Sequence, residues 1–339
     1  MAKIIHLLDS SAYSGAEKIA IELIKNDKQN ECWYVSKDGP IREVLEKLGV
    51  KHFLYNNFAE LKKFTKNNDI DIIHCHDFKA SIKGAVLKAK YRISHIHNNA
   101  ESSKSINIKT IMYLAASLRI NKIVYVSKTT MDEFVFSKRL EKKTCVIENW
   151  LNKEERLWDK ECEKDIDILY VGRFKDEKNP LEVINFANKL VKKNNDIKVC
   201  LVGDGPLKEE MINMIKENSL EGNIAIEPFS DKPHFYMRRA KILMIPSRWE
   251  GFGLVVLEAM LNEAIVLGEP VGGIKNIITD GTNGYYYKGD DSIDLTLDII
   301  SDFSKYNNVR LEALNRIEDF DMSKNTQKFY DLYSDLRGV

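Results

Sequence analysis

Short apolar runs alternate along the whole chain with longer stretches whose apolar positions recur every three or four residues. The short runs predict strands at 3–8, 31–35, 51–55, 71–76, 91–95, 122–126 and 145–147. A second set follows at 167–171, 198–202, 223–227, 242–245 and 264–267. Helical spacing fills the intervals, for example at 16–24, 40–48, 79–89, 108–118, 181–192, 208–218 and 254–261. A last amphipathic stretch at 325–336 carries Phe329, Leu332, Tyr333 and Leu336 on one face.

Strand–helix alternation of this kind predicts an α/β chain with parallel sheets covered by helices on both faces. The unbroken apolar character of Ile242, Leu243, Met244 and Ile245 fits a strand buried on both sides. A chain of 339 residues exceeds what one core usually organises, so two domains are expected. The pattern breaks at a polar, charge-dense segment after Asn149 and restarts at Asp165. This places an N-terminal domain at 1–150, a hinge at 151–164, a second domain at 165–320 and a C-terminal helix at 321–339 that packs back on the first. Doubly wound sheets bind ligands beyond the carboxyl ends of their strands. Two Rossmann-like domains facing a central cleft are therefore expected.

Composition narrows the function classes. No apolar run reaches 18 residues, which argues against a spanning helix, and the first residues read as a strand, not as a signal peptide. Five widely spaced cysteines without a Cys-x-x-Cys pair suit a reduced, cytoplasmic protein. The formal net charge of zero hides an asymmetry: residues 1–150 hold 25 Lys and Arg against 17 Asp and Glu, and the remainder holds 26 against 34. A basic half predicts an anionic partner, such as a membrane surface at the inner face of the cell membrane or a phosphorylated acceptor. No nucleic-acid-binding module accompanies it.

The chemistry concentrates after the strand at 242–245. Pro246 and Ser247 end it, a loop Arg248-Trp249-Glu250-Gly251-Phe252-Gly253 follows, and a helix starts at Leu254. The amides of Gly251, Phe252, Gly253 and Leu254 then stand at a helix N-terminus, where unpaired N–H groups favour an anion. Glu250 and Glu258 flank this anion-binding turn, so their targets are expected to be hydroxyls, such as the vicinal diols of a ribose and a hexose. Upstream, Gly172-Arg173 and Lys178 lie around a strand-end turn, and Arg173 and Lys178 are placed to converge on a diphosphate. Leu201-Val202-Gly203-Asp204-Gly205-Pro206 is a further glycine turn.

The Glu-(seven residues)-Glu spacing around Gly-Phe-Gly, with Gly-Arg…Lys before it, resembles the signature of the retaining family 4 glycosyltransferases of GT-B fold. The resemblance covers nearly the whole chain, with its specific motifs between 170 and 285. It implies that Glu250 contacts the donor sugar, Glu258 holds the ribose, and Arg173 and Lys178 neutralise the leaving diphosphate. It also implies that Gly172, Gly203, Gly205, Gly251, Phe252, Gly253 and Leu254 shape the nucleotide-sugar site. In the N-terminal half it points to Gly15, in Ser14-Gly15-Ala16-Glu17, and to His97 beside the donor sugar. His74, His76 and His95 are expected to be hydrogen-bonded structural residues. Ser14 in place of the family's first glycine, and Lys275 after Gly272-Gly273, depart from the pattern.

The expected activity is retaining transfer of a hexose or N-acetylhexosamine from a nucleotide-sugar, UDP-linked, to a glycan or lipid-linked saccharide in cell-surface polysaccharide synthesis. The family needs no catalytic metal and no cofactor. Asp69-x-Asp71 and Asp165-x-Asp167 fit a metal-binding pattern, but both begin strands, at the end away from a cleft. A nucleotide-sugar epimerase or hydrolase of the same fold is the alternative enzyme, and a non-catalytic scaffold the alternative outside enzymes. A dehydrogenase is disfavoured because no Gly-x-Gly-x-x-Gly follows an N-terminal strand.

Overall fold

Thirteen strands form two all-parallel sheets in a computed structural model that describes residues 1–98, 101–153, 162–230 and 232–338. The chain divides into two units, Met1–Trp150 with Met322–Val339, and Leu151–Asp321. Residues 154–161, the greater part of the hinge expected from the sequence, lie outside the described residues.

The first unit contains β1 (Lys3–Leu7), β2 (Glu31–Lys37), β3 (His52–Tyr55), β4 (Ile72–His76), β5 (Tyr91–Ile96), β6 (Lys122–Tyr125) and β7 (Thr144–Val146). Their order, β3-β2-β1-β4-β5-β6-β7, reverses direction between β1 and β4. Every residue of β4 is buried, as expected of a strand covered on both faces. The helix Met322–Arg337 completes this unit from the other end of the chain. Its Phe329 ring packs 4.8 Å from His95 and 6.1 Å from Trp150. Tyr333 Oη and His74 Nδ1 hydrogen-bond at 2.6 Å.

The second unit contains β8 (Ile166–Val171), β9 (Val199–Val202), β10 (Ile224–Glu227), β11 (Ala240–Ile245), β12 (Ile265–Gly268) and β13 (Tyr285–Tyr286). The order β10-β9-β8-β11-β12-β13 reverses between β8 and β11. One core runs through it, with Phe174, Phe186, Leu190, Leu201, Met244 and Leu267 among its buried side chains.

Each strand expected from the sequence is present within one or two residues of its predicted ends; β13, only two residues long, carried no signal. The helix predicted at 79–89 is instead Asp77–Gly84. Its early end has a physical cause: the Arg92 guanidinium donates to the carbonyls of Gly84 (3.1 Å) and Leu87 (2.6 Å), tying those groups down outside the helix. Asp69 and Asp71 pair with Lys88 and Lys90, while Asp165 and Asp167 pair with Arg239 and Lys241. These aspartates therefore act as charge clasps at the amino ends of the strands.

Candidate active site

In each sheet the direction of strand order reverses at one point, between β1 and β4 and between β8 and β11. Such a switch point leaves a crevice at the carboxyl ends of the two central strands. The residues singled out in the sequence sit at these two places.

In the second unit, the turn after β8 is held from several sides. Tyr170 Oη donates to the Arg173 carbonyl at 3.0 Å, and the Gly172 and Phe174 amides donate to the carbonyls of Val202 and Asp204 at 3.1 and 2.8 Å. A side chain at Gly203 would place its Cβ 2.0 Å from the Gly172 carbonyl oxygen, so the Gly172 and Gly203 turns meet backbone to backbone. Phe174 is fully buried beneath them. The turn continues through Asp176–Lys178 to the helix Pro180–Val191.

After β11, Ser247 is buried and Gly253 caps the helix Leu254–Leu261 with no side-chain hydrogen bond. At the start of that helix the Val256 amide donates to the Gly253 carbonyl at 2.9 Å, while the amides of Leu254 and Val255 precede the first position at which an intrahelical acceptor exists. The Phe252 ring is buried and packs edge-on at 5.6 Å from Phe320, so this residue can meet a ligand only through its backbone. Gly272 fixes the Glu250 backbone: a Cβ at Gly272 would lie 1.6 Å from the Glu250 carbonyl oxygen, at a φ of +49°. The neighbouring Gly273 amide donates to that same oxygen at 3.3 Å.

Lys178 Nζ donates to Glu250 Oε2 at 2.5 Å, with both side chains largely shielded from solvent. The structure thereby joins the two motifs, 72 residues apart, that the sequence assigned to phosphate and to sugar. Arg173 does not share this pair; it is exposed and holds Glu177 at 3.1 Å. Arg248 borders the same turn, donating its amide to the Glu177 carbonyl at 3.0 Å and lying 3.4 Å from Asp176. Glu258 is half-buried one turn into the helix. Gly205 closes against Phe174, its Cβ direction blocked at 2.5 Å by the Phe174 carbonyl. Chemically, this is a glycine-rich turn beside a helix N-terminus, with cations already counterbalanced by carboxylates that an arriving diphosphate must displace or bridge.

In the first unit, the register of β1, β4 and β5 stacks five imidazoles on one face of the sheet: His6 opposite His74, and His76 opposite His95, with His97 just beyond. All five are buried. His6 Nδ1 lies 3.2 Å from His76 Nε2, His76 Nδ1 lies 2.8 Å from His97 Nε2, and His74 Nε2 lies 3.2 Å from His95 Nδ1. Burial drives His6 and His97 down to about 3 and holds His74, His76 and His95 well below the ordinary imidazole range, so all five are neutral. Two trios, His6–His74–His76 and His76–His95–His97, bring ring nitrogens within 4.8 Å of one another, the spacing a metal ion would use. A cation there would have to break the ring-to-ring hydrogen bonds.

Next to this stack is a cavity of about 380 Å³ bordered by Asp9, Glu17, His76, Asp77, Lys79, Asn98 and Lys109. Asp77 begins its helix at a φ of +67°, a conformation costly for a residue with a Cβ. Its Oδ1 accepts from the amides of His97 (2.7 Å) and Asn98 (3.3 Å), which ties the ends of β4 and β5 together. Burial, reinforced by Glu17, raises its carboxyl to about 7, against the lowering by those amides. Asp77 and Glu17 are site residues that the sequence motifs did not single out. The available signal was an acid placed directly after a buried strand at the reversal of strand order. Gly15 starts the helix Gly15–Asn26 at the same corner, where Ser14 Oγ donates to the Glu17 carboxylate. His97 is neither exposed nor on the border of the cavity; its Nδ1 has no partner among the described residues.

Comparison with known proteins gives this arrangement its class. Residues 152–316 match the family described as Glycosyl transferases group 1, and residues 30–155 match Glycosyltransferase Family 4. The chain belongs to this glycosyltransferase family, and its fold is GT-B. It is 32% identical over 68% of its length to an uncharacterised glycosyltransferase of Methanocaldococcus jannaschii, the match spanning 65% of that relative. It is 25% identical to the O-antigen biosynthesis glycosyltransferase WclY of Escherichia coli, over 76% of this chain and 77% of that one. In three dimensions it superimposes on HepE of Anabaena, solved in complex with UDP-glucose, with a TM-score of 0.87 at 19% identity, covering 99% of this chain and all of that one.

Proposed function

We propose that this protein transfers a hexose or N-acetylhexosamine from a UDP-sugar, with retention of anomeric configuration, to a saccharide acceptor of a cell-surface polysaccharide. The donor lies at the β8/β11 switch point, and the acceptor in the cavity beside Asp77. The observation that carries the proposal is the Lys178–Glu250 pair. It fixes a cation and a carboxylate side by side, next to helix amides, where a diphosphate and the adjoining sugar would each find a partner.

In the reaction the acceptor hydroxyl oxygen bonds to the anomeric carbon as the bond from that carbon to the phosphate oxygen breaks. The electron pair leaves on UDP. Lys178, Arg173 and the amides before Leu254 stabilise that charge, an electrostatic contribution of the kind worth about 100-fold or more per donor. The departing phosphate oxygen takes the acceptor proton. Glu250 orients the sugar and Glu258 the ribose. WclY, a relative named for O-antigen synthesis, and HepE, a neighbour crystallised with UDP-glucose, support the acceptor and donor classes respectively. A lipid-linked saccharide is the acceptor form we favour, and neither a metal nor a cofactor is needed for the steps above.

The test is product analysis with a panel of radiolabelled nucleotide-sugars, with and without saccharide acceptors. The proposal expects label in an acceptor product whose anomeric configuration by NMR matches the donor. An inverted product, or transfer undiminished in an Arg173→Ala, Lys178→Ala double variant, overturns the mechanism. Free sugar or an epimerised donor, formed equally well without acceptor, would identify the hydrolase or epimerase alternative.

A further inference from the structure

The first unit carries an apolar surface that its own fold leaves uncovered. In the helix Ile108–Ser117, Thr110, Tyr113 and Ser117 are buried against the unit. The opposite face presents Ile108 (77% exposed), Ile111 (51%) and Met112 (50%), positions three and four apart that share one side. Ile106 (68%) precedes the helix and Leu118 (84%) ends it. Arg119 Nη1 donates to the Ala85 carbonyl at 3.4 Å, which brings the half-exposed Val86 to the same end of the helix. Scattered exposed apolar residues are ordinary, but a continuous apolar stripe along one helix is not.

Charge decides what covers it. Residues 79–143 hold 14 Lys and Arg against 4 Asp and Glu, a net of +10 in a chain of zero net charge. Lys109, Arg119, Lys138, Arg139 and Lys142 are exposed. Lys143 Nζ donates to the Ser117 and Ile120 carbonyls, which anchors the basic segment 138–143 at the C-terminal end of the apolar helix. A second copy docked on the same patch by two-fold symmetry would set this positive charge against itself. A bilayer rich in anionic lipid instead offers acyl chains to the isoleucines and phosphates to the lysines and arginines.

We propose that the face formed by Ile106, Ile108, Ile111, Met112 and Leu118, with the basic residues around it, docks this protein on an anionic phospholipid bilayer. The helix lies in the interface, its apolar side reaching the acyl boundary. This surface is independent of the donor site, so it stands or falls separately from the transfer reaction.

The experiment is co-sedimentation of the full chain with phosphatidylglycerol-rich and with pure phosphatidylcholine vesicles, at low and high salt. The parent protein should bind the anionic vesicles and be released by salt. Ile108→Ser, Ile111→Ser and Leu118→Ser together, and separately Lys138→Gln, Arg139→Gln and Lys142→Gln together, should each lower the partition coefficient by about 100-fold. Unchanged thermal melting and unchanged transfer to a water-soluble acceptor show that the variants are folded, since the substituted side chains are already exposed. Three outcomes would overturn the proposal: no binding to anionic vesicles, full binding by the triple-serine variant, or a salt-stable dimer in sedimentation velocity that the serines dissociate.

Discussion

Acidification should unfold the first unit before it harms the second. Its five stacked histidines are held neutral by burial, two of them down to about 3, from an ordinary value of 6.5. Each lowered histidine contributes stability that is complete above pH 6.5 and is lost as pH falls below it, because the unfolded chain takes up a proton that the fold refuses. Asp77 acts in the opposite sense. Its carboxyl, raised from 3.8 to about 7, is protonated in the fold while still ionised in the unfolded chain, so it favours the fold as pH falls through that window. Five histidines against one aspartate leave a net four protons taken up on unfolding as pH falls below about 6.5. At about 1.4 kcal/mol per proton and pH unit, that is a slope of about 5 kcal/mol per unit. One unit of acidification then removes an amount comparable with the whole stability of an average domain, about 5–15 kcal/mol. The assay is hydrogen exchange by mass spectrometry on peptides spanning β4 and β5, compared with peptides spanning β8 and β11, at stepped pH with intrinsic rates corrected. Protection in β4 and β5 should collapse near about pH 5.5 while β8 and β11 retain theirs. His95→Leu should flatten the slope by one proton, about 1.4 kcal/mol per unit. A slope below about one proton in the parent would refute the argument that the stack is neutral because it is buried.

Three further outcomes follow from the contacts. Glu250→Gln removes a negative charge and frees Lys178, so calorimetry should show UDP bound at least as tightly as by the parent while transfer falls about 100-fold; Lys178→Ala should weaken both. Gly272→Ala drives a methyl group into the Glu250 carbonyl and should abolish transfer, with a stability loss in urea of about 2 kcal/mol or more. Asp77→Asn can keep the amide contacts of His97 and Asn98 but cannot titrate, so a limb near pH 7 in the kcat/KM profile of the parent should be absent from the variant.

The sequence made the strands legible because parallel strands covered on both faces must be apolar at nearly every position, as Ile72–His76 and Ala240–Ile245 are. Glycine turns and the strand–loop–helix around Glu250 were legible for the same local reason. What escaped depends on register and on distance along the chain. His6 is a lone histidine in its strand, and only the pairing of His6 with His74 shows it to be a member of the stack. The partnership of Lys178 with Glu250 spans 72 residues and required the β8–β11 adjacency to exist. The end of the helix at Gly84 is set by Arg92, a side chain from the next strand, against a periodicity that continues to residue 89.

The two switch points are built from opposite materials, and this separates what can perturb them. The second unit brings charges to its turn, Lys178, Arg173 and Arg248 facing Glu250, Glu177 and Asp176, on a backbone fixed by the close approach of Gly272. Such a site responds to ionic strength, because every partner is an ion and the outer ones are exposed. The first unit brings groups that are neutral or close to titration, the buried imidazole stack and the part-buried Asp77, to a cavity whose rim holds Lys79 and Lys109. With titratable neutral groups in place of ion pairs at its base, that site responds to pH instead. If donor and acceptor divide between the units as proposed, added salt at neutral pH should raise the KM for the nucleotide-sugar and leave that for a neutral, water-soluble saccharide nearly unchanged. Mild acidification should do the reverse. A salt effect confined to the acceptor KM would assign the two substrates to the wrong halves.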